Sequence, residues 1–197
     1  MPVDIATSGI VAQAFRLLEM SPPSSLGDAS EQAVAAAEQY GVALEACLAG
    51  CDWSFASRVG RLAQVAPIPV AVDPELTFEF ERPADLLVVR SLAPCDIVWR
   101  LDADRLRADF SGPIHIRYTA QIEDETRLPA EFRTAVAYRL AGFLAPRWTT
   151  SLNRAQALSD AAEDWLTRAR RTDRGSASPR RYDGRDMGPS WAEAMVR

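Results

Sequence analysis

Apolar residues recur at helical spacing in four stretches of the chain and alternate at strand spacing in the region between the second and third. Ile10, Ala14, Leu17 and Leu18 form one stripe with Val11 and Phe15 beside it, which predicts a helix over about 3–20, stopped by Ser21-Pro22-Pro23. A second helix over about 29–51 opens near Asp28 or Ser30, whose short oxygen-bearing side chains can accept the free amide hydrogens of a first turn. Its apolar face is Ala37, Tyr40, Leu44, Leu48 and Cys51, and the small residues Ala33 to Ala37 and Gly41 let another helix come close. Trp53 and Phe55 then suit the end of a helix turning onto a core.

Pro67, Pro69 and Pro74 punctuate an irregular stretch, after which the pattern turns to β. The runs LLVVRSL, IVWRL, LRADF and IHIRYTAQI read as short strands, with Asp102-Ala103-Asp104 as a hairpin loop, inside a small antiparallel sheet over about 77–122. Leu128-Pro129-Ala130-Glu131 opens a third helix over about 129–145, because proline at the first helical position gives up no needed donor. Phe132, Val136, Leu140, Phe143 and Leu144 face one way and Pro146 ends it. Leu158, Ala162, Trp165, Leu166 and Ala169 mark a fourth helix over about 151–171. The expected class is mainly α: a four-helix bundle core over 1–171 with an inserted small antiparallel sheet, and a flexible, extended C-terminal tail over 172–197.

Composition sharpens the tail. All 22 basic residues are arginine, and the net charge is −5. Residues 168–197 hold eight arginines and four acids, so the other 167 residues sum to −9. An acidic body with a basic, low-complexity tail is the pattern of an interaction arm. The tail is too rich in Gly, Ser, Pro and Asp to offset its chain entropy alone, yet it carries Tyr182, Met187, Trp191 and Met195, which suits a segment that orders on a partner. Arg174, Arg180, Arg181 and Arg185 add the residue type enriched, with tryptophan, at protein interface hot spots. Those four together with Arg168, Arg170 and Arg171 could neutralise phosphates while Tyr182 and Trp191 stack on bases; the interleaved acids and the acidic body weigh against that.

No apolar run approaches the roughly 20 residues that span a bilayer, and MPVDIATSG lacks the layout of a signal peptide, so no membrane association is expected and the protein stays in the cytoplasm where it is made. Cys47, Cys51 and Cys95 then read as free thiols and small hydrophobes; joining them with His115 in a metal site would need a tighter spacing than one helical turn. His115, the single histidine, lies in a strand pattern, and no nucleophile elbow, phosphate loop or dinucleotide turn accompanies it. The acids Asp102, Asp104 and Glu123-Asp124-Glu125 sit at loop positions where solvation is the default, and they lack the glycine and distant glutamate of a calcium loop. The expectation is a protein that is not an enzyme and has no cofactor.

The order of these pieces resembles the head-to-tail connector (adaptor) family of bacteriophages and gene transfer agents, which includes tail tubular protein A of short-tailed phages. The matching features are the N-terminal helix, the aromatic corner Cys51-Asp52-Trp53-Ser54-Phe55-Ala56, the turn and strand Pro83-Ala84-Asp85-Leu86-Leu87-Val88-Val89, the strand Pro113-Ile114-His115-Ile116-Arg117-Tyr118, and Leu128-Pro129-Ala130-Glu131-Phe132 followed by Leu144-Ala145-Pro146. They span about residues 3–171; the tail departs from any pattern matched position by position. The resemblance implies a virion structural protein: a homo-oligomeric ring, a dodecamer, seated on the portal protein, with a stopper or other tail protein below and DNA passing through without sequence-specific binding. An acidic lumen would let DNA pass without sticking.

Overall fold

The computed structural model describes residues 8–24, 29–65, 75–149 and 151–175. Four helices, α1 (Gly9–Leu17), α2 (Glu31–Ala49), α3 (Ala130–Trp148) and α4 (Leu152–Gly175), surround one core. Six strands follow the aromatic corner: β1 (Ser57–Arg61), β2 (Phe78–Glu81), β3 (Leu86–Ala93), β4 (Trp99–Asp102), β5 (Arg105–Ala108) and β6 (His115–Ala120). They form two three-stranded antiparallel sheets, ordered β1-β6-β3 and β2-β5-β4.

This corrects the expectation of a mainly α bundle with one small insertion. The described residues are 48% helical and 21% strand, a mixed α/β fold whose β half has its own core. The missing strand is β1. Ser57-Arg58-Val59-Gly60-Arg61 has no alternating apolar face and is largely exposed; it is extended because its backbone pairs with β6, Val59 opposite Arg117. The chain just beyond β1 pairs onward along the outer edge of β2, with Val65 N–H on Glu79 O at 2.9 Å and Glu81 N–H on Ala63 O at 2.9 Å. One continuous stretch thus joins the two sheets.

The helix boundaries shift for identifiable reasons. Ser8 caps α1, its hydroxyl accepting the Val11 N–H at 3.1 Å. That helix stops at Leu17, ahead of the proline pair, because Glu19 takes a left-handed φ of 61° and the amides of Glu19 and Met20 return to Arg16 O and Phe15 O at 3.0 and 2.9 Å. Ser30 caps α2 through Ala33 N–H at 3.3 Å. Pro129 stands at the cap of α3, one place before the first turn. Pro146 lies inside α3, two residues from its end, where only the carbonyl of Gly142 is deprived of a helical partner. α4 is described as far as Gly175, so residues 172–175, Arg174 among them, are helical where the expectation placed the tail, and 176–197 lie outside the described residues.

Ile10, Ala14, Phe15, Ala36, Leu44, Leu48, Phe132, Val136, Leu140 and Leu144 are buried together between the helices. Trp53 and Phe55 both pack edge-on against Phe132 with ring centroids 5.0 Å away, pinning the corner between α2 and β1 to the helical core. The second core is Leu62, Phe80, Leu92, Leu106, Ile114 and Ile116 between the sheets.

Candidate partner-docking site

The corner Gly50-Cys51-Asp52 is where the helical half, the first sheet and the end of α4 meet, and a groove of about 560 Å³ opens there. It is lined by Gly50, Cys51, Asp52, Val89, Arg90, Arg117, Arg170 and Arg174, four guanidinium groups against a single carboxylate.

Three elements set the four cations: Arg90 on β3, Arg117 on β6, and Arg170 and Arg174 on α4. Arg90 points from β3 to the end of α2, where its Nη2 donates to Ala49 O at 2.9 Å and Cys51 O at 2.6 Å while its Nε donates to Thr119 Oγ1 at 2.8 Å. Those carbonyls have no helical amide to accept and carry the negative end of the helix dipole, so a guanidinium is the natural cap. Arg117 on β6 pairs with Asp52 and reaches Ser91 Oγ at 3.4 Å. The Asp52 side chain is 9% exposed, and its second oxygen, Oδ1, is buried with no hydrogen-bond partner among the described residues.

α4 closes the groove. Arg170 Nη2 donates to Gly50 O at 3.4 Å. Asp173 accepts the Ser54 N–H at 3.0 Å and the Ser54 hydroxyl as well. Arg174, one residue on, is exposed at the rim. The arrangement suits an anion or an acidic segment: charge-assisted donors surround a polar depression, and half of them are held by fixed backbone contacts.

Of the residues that the sequence marks for docking, Arg174 alone is described, and it lines this groove. Arg180, Arg181, Tyr182, Arg185, Met187, Trp191 and Met195 lie outside the described residues. Arg90 and Arg117 were missed by sequence reasoning, and Arg170 was read only as a phosphate contact, because isolated arginines on strands and helix faces carry no local signal of convergence.

The other candidates separate. Cys47 is buried, Cys51 half-buried and Cys95 exposed, and no group of three or more metal-ligating side chains gathers among the described residues. Burial above all pushes the Cys47 thiol up to about 11, against the opposing pull of Arg139. His115 is exposed at the start of β6. Glu125 departs from the solvated-loop expectation: its Oε1 accepts from the Tyr40 hydroxyl at 2.7 Å and from the Ser8 hydroxyl, tying a 3-10 turn (Glu125–Arg127) to α1 and α2. Burial, then that hydrogen bond, raises the Tyr40 phenol. Asp102 is held below the usual carboxylate range by Arg100. No helix among the described residues is long and apolar enough to cross a membrane. Comparison with models of known families and with curated proteins returns no match.

Proposed function

We propose that the chain is a non-enzymatic structural adaptor of a tailed phage or gene transfer agent, a ring subunit that joins the portal to the tail, leaves a channel for DNA, and becomes part of the virion. The order of motifs over residues 3–171 is one support. The observation that carries the reading is the clamp of α4 on the corner: Asp173 on Ser54 and Arg170 on Gly50 give the residues after Gly175 a fixed starting point beside four arginines. A segment joined to an oriented base docks on a neighbouring protein at a smaller orientational cost. The portal is its proposed partner, and a stopper or other tail protein meets the opposite face of the ring.

The arginine groove also supports a second reading, an arginine-rich DNA-binding packaging factor, which predicts DNA affinity falling steeply with salt. A stopper or tail-terminator role is the nearest alternative in the same class.

Cosedimentation with assembled portal rings tests the proposal, using the full chain and a chain ending at Gly175. Cutting earlier would remove Asp173 and confuse docking with folding. Binding by the full chain and its loss on truncation is the expected result. Undiminished binding by the shortened chain would exclude the tail as the docking element, and no binding by either would exclude the adaptor role.

A further inference from the structure

The second sheet divides its side chains by face. Phe78, Ala108 and Trp99 stand in one row and Phe80, Leu106 and Leu101 in the next, all on the apolar face; Glu79, Arg107 and Arg100, then Glu81, Arg105 and Asp102, form the charged face. Phe80, Leu106 and Ala108 are covered by the first sheet, but Trp99 and Leu101 on β4 remain 39% and 37% exposed and Val98 61%. β4 is the last strand of its sheet, and its outer edge meets no other strand among the described residues. The register also fixes which backbone groups face out. Asp109 N–H donates to Val98 O at 3.1 Å, so the hydrogen-bonded partners are Val98, Arg100 and Asp102, and Trp99 and Leu101 turn their N–H and C=O groups to the open edge.

We infer that β4 pairs antiparallel with β4 of a second copy of this chain about a two-fold axis at Leu101. In that register Leu101 opposes Leu101 as a hydrogen-bonded pair, using the groups the edge leaves open. Arg100 then opposes Asp102 of the other copy twice, as non-hydrogen-bonded pairs in which side chains come closest, so both ion pairs are complementary. Trp99 falls opposite Ala103, whose small side chain and φ of 48° at the hairpin tip leave room for the indole. A shift by one residue would put Arg100 beside leucine and expose the apolar row, which the face pattern opposes. The edge pair within one copy, Arg100 with Asp102 at 2.7 Å, has side chains 54% and 34% exposed and can rearrange, while Arg107 keeps Glu79 at 2.7 Å. Such a contact is self-complementary and closes after two copies, so it is separate from the head-to-tail contacts of a ring.

Sedimentation of the full chain over about 1 to 500 µM tests it, a range chosen for an interface of few residues. The wild type dimerises within that range, and Arg100→Asp and Asp102→Arg each weaken self-association at least about tenfold, because like charges then meet twice. Mixed together the two variants associate again, each supplying what the other lacks. A second measurement does not depend on those variants folding equally well. With Cys95→Ser to remove the exposed thiol, Leu101→Cys oxidises to a covalent dimer and Trp99→Cys does not, since only position 101 lies at the axis within disulfide reach. A monomer throughout the range, a dimer indifferent to both charge reversals, or crosslinking equal at 99 and 101 would each overturn the pairing. Portal binding is measured separately, so failure here leaves the adaptor proposal standing and the reverse is also true.

Discussion

Asp173, in the last turn of α4, accepts the backbone N–H of Ser54 at 3.0 Å, across 119 residues of sequence. The contact anchors the last described turn of α4 to the corner that leaves α2. Asp173→Ala leaves the Ser54 amide without its carboxylate and costs about 1–2 kcal/mol by chemical denaturation. Asp173→Asn, which keeps one acceptor oxygen, costs less. Equal loss in both would show that the charge and not the hydrogen bond matters.

Arg90 stabilises the end of α2 by donating to Ala49 O and Cys51 O while holding Thr119. Arg90→Met keeps much of the stem and removes every donor. The expected loss is about 2–3 kcal/mol in urea unfolding, since several carbonyls lose a charged partner together. Arg90→Lys recovers only part of it, because one ammonium cannot reach both the helix end and Thr119.

Phe132 is fully buried and shared by Trp53 and Phe55. Phe132→Ala opens a cavity under the corner and destabilises by about 3–5 kcal/mol. Near-ultraviolet circular dichroism reports the loosened tryptophan. A large stability loss with an unchanged aromatic signal would place the damage elsewhere in the helical core.

Cys47 sets an alkaline limit. Its thiol is raised from 9.0 to about 11 in the folded protein, mainly by burial, so the native state holds the proton where the unfolded chain has released it. The contribution to stability is complete below pH 9 and disappears as pH rises to about 11. Unfolding free energy therefore falls across that window more steeply in the wild type than in Cys47→Ala, by an amount on the order of 2 kcal/mol. Parallel curves for the two proteins would assign the slope to other groups, Tyr40 among them.

Strands were legible within LLVVRSL, IVWRL, LRADF and IHIRYTAQI, with ends off by one to two residues, as was the hairpin at Asp102-Ala103-Asp104, because alternation and turn chemistry are local. β1 was not, since Ser57-Arg58-Val59-Gly60-Arg61 is extended by pairing with β6 and not by its own pattern. That one strand, with the bridge beyond it to β2, converts a small insertion into a second layer. The end of α4 was misjudged for a similar reason: an arginine-rich run with weak periodicity stays helical because Arg170 and Asp173 are held by Gly50 and Ser54.

Spacing and composition alone placed four helices and most of the strands, and they set the acidic body, the arginine-rich C-terminal stretch and two aromatic residues at the corner after α2. Long-range contacts settled the remainder. The convergence of Arg90, Arg117, Arg170 and Arg174 on one groove brings residues from β3, β6 and α4 together. Glu125, half-buried, reached Tyr40 and Ser8, and β4 kept an open edge among the described residues. Local patterns specify which face of an element avoids water, but which elements meet depends on long-range pairing that no window of sequence contains.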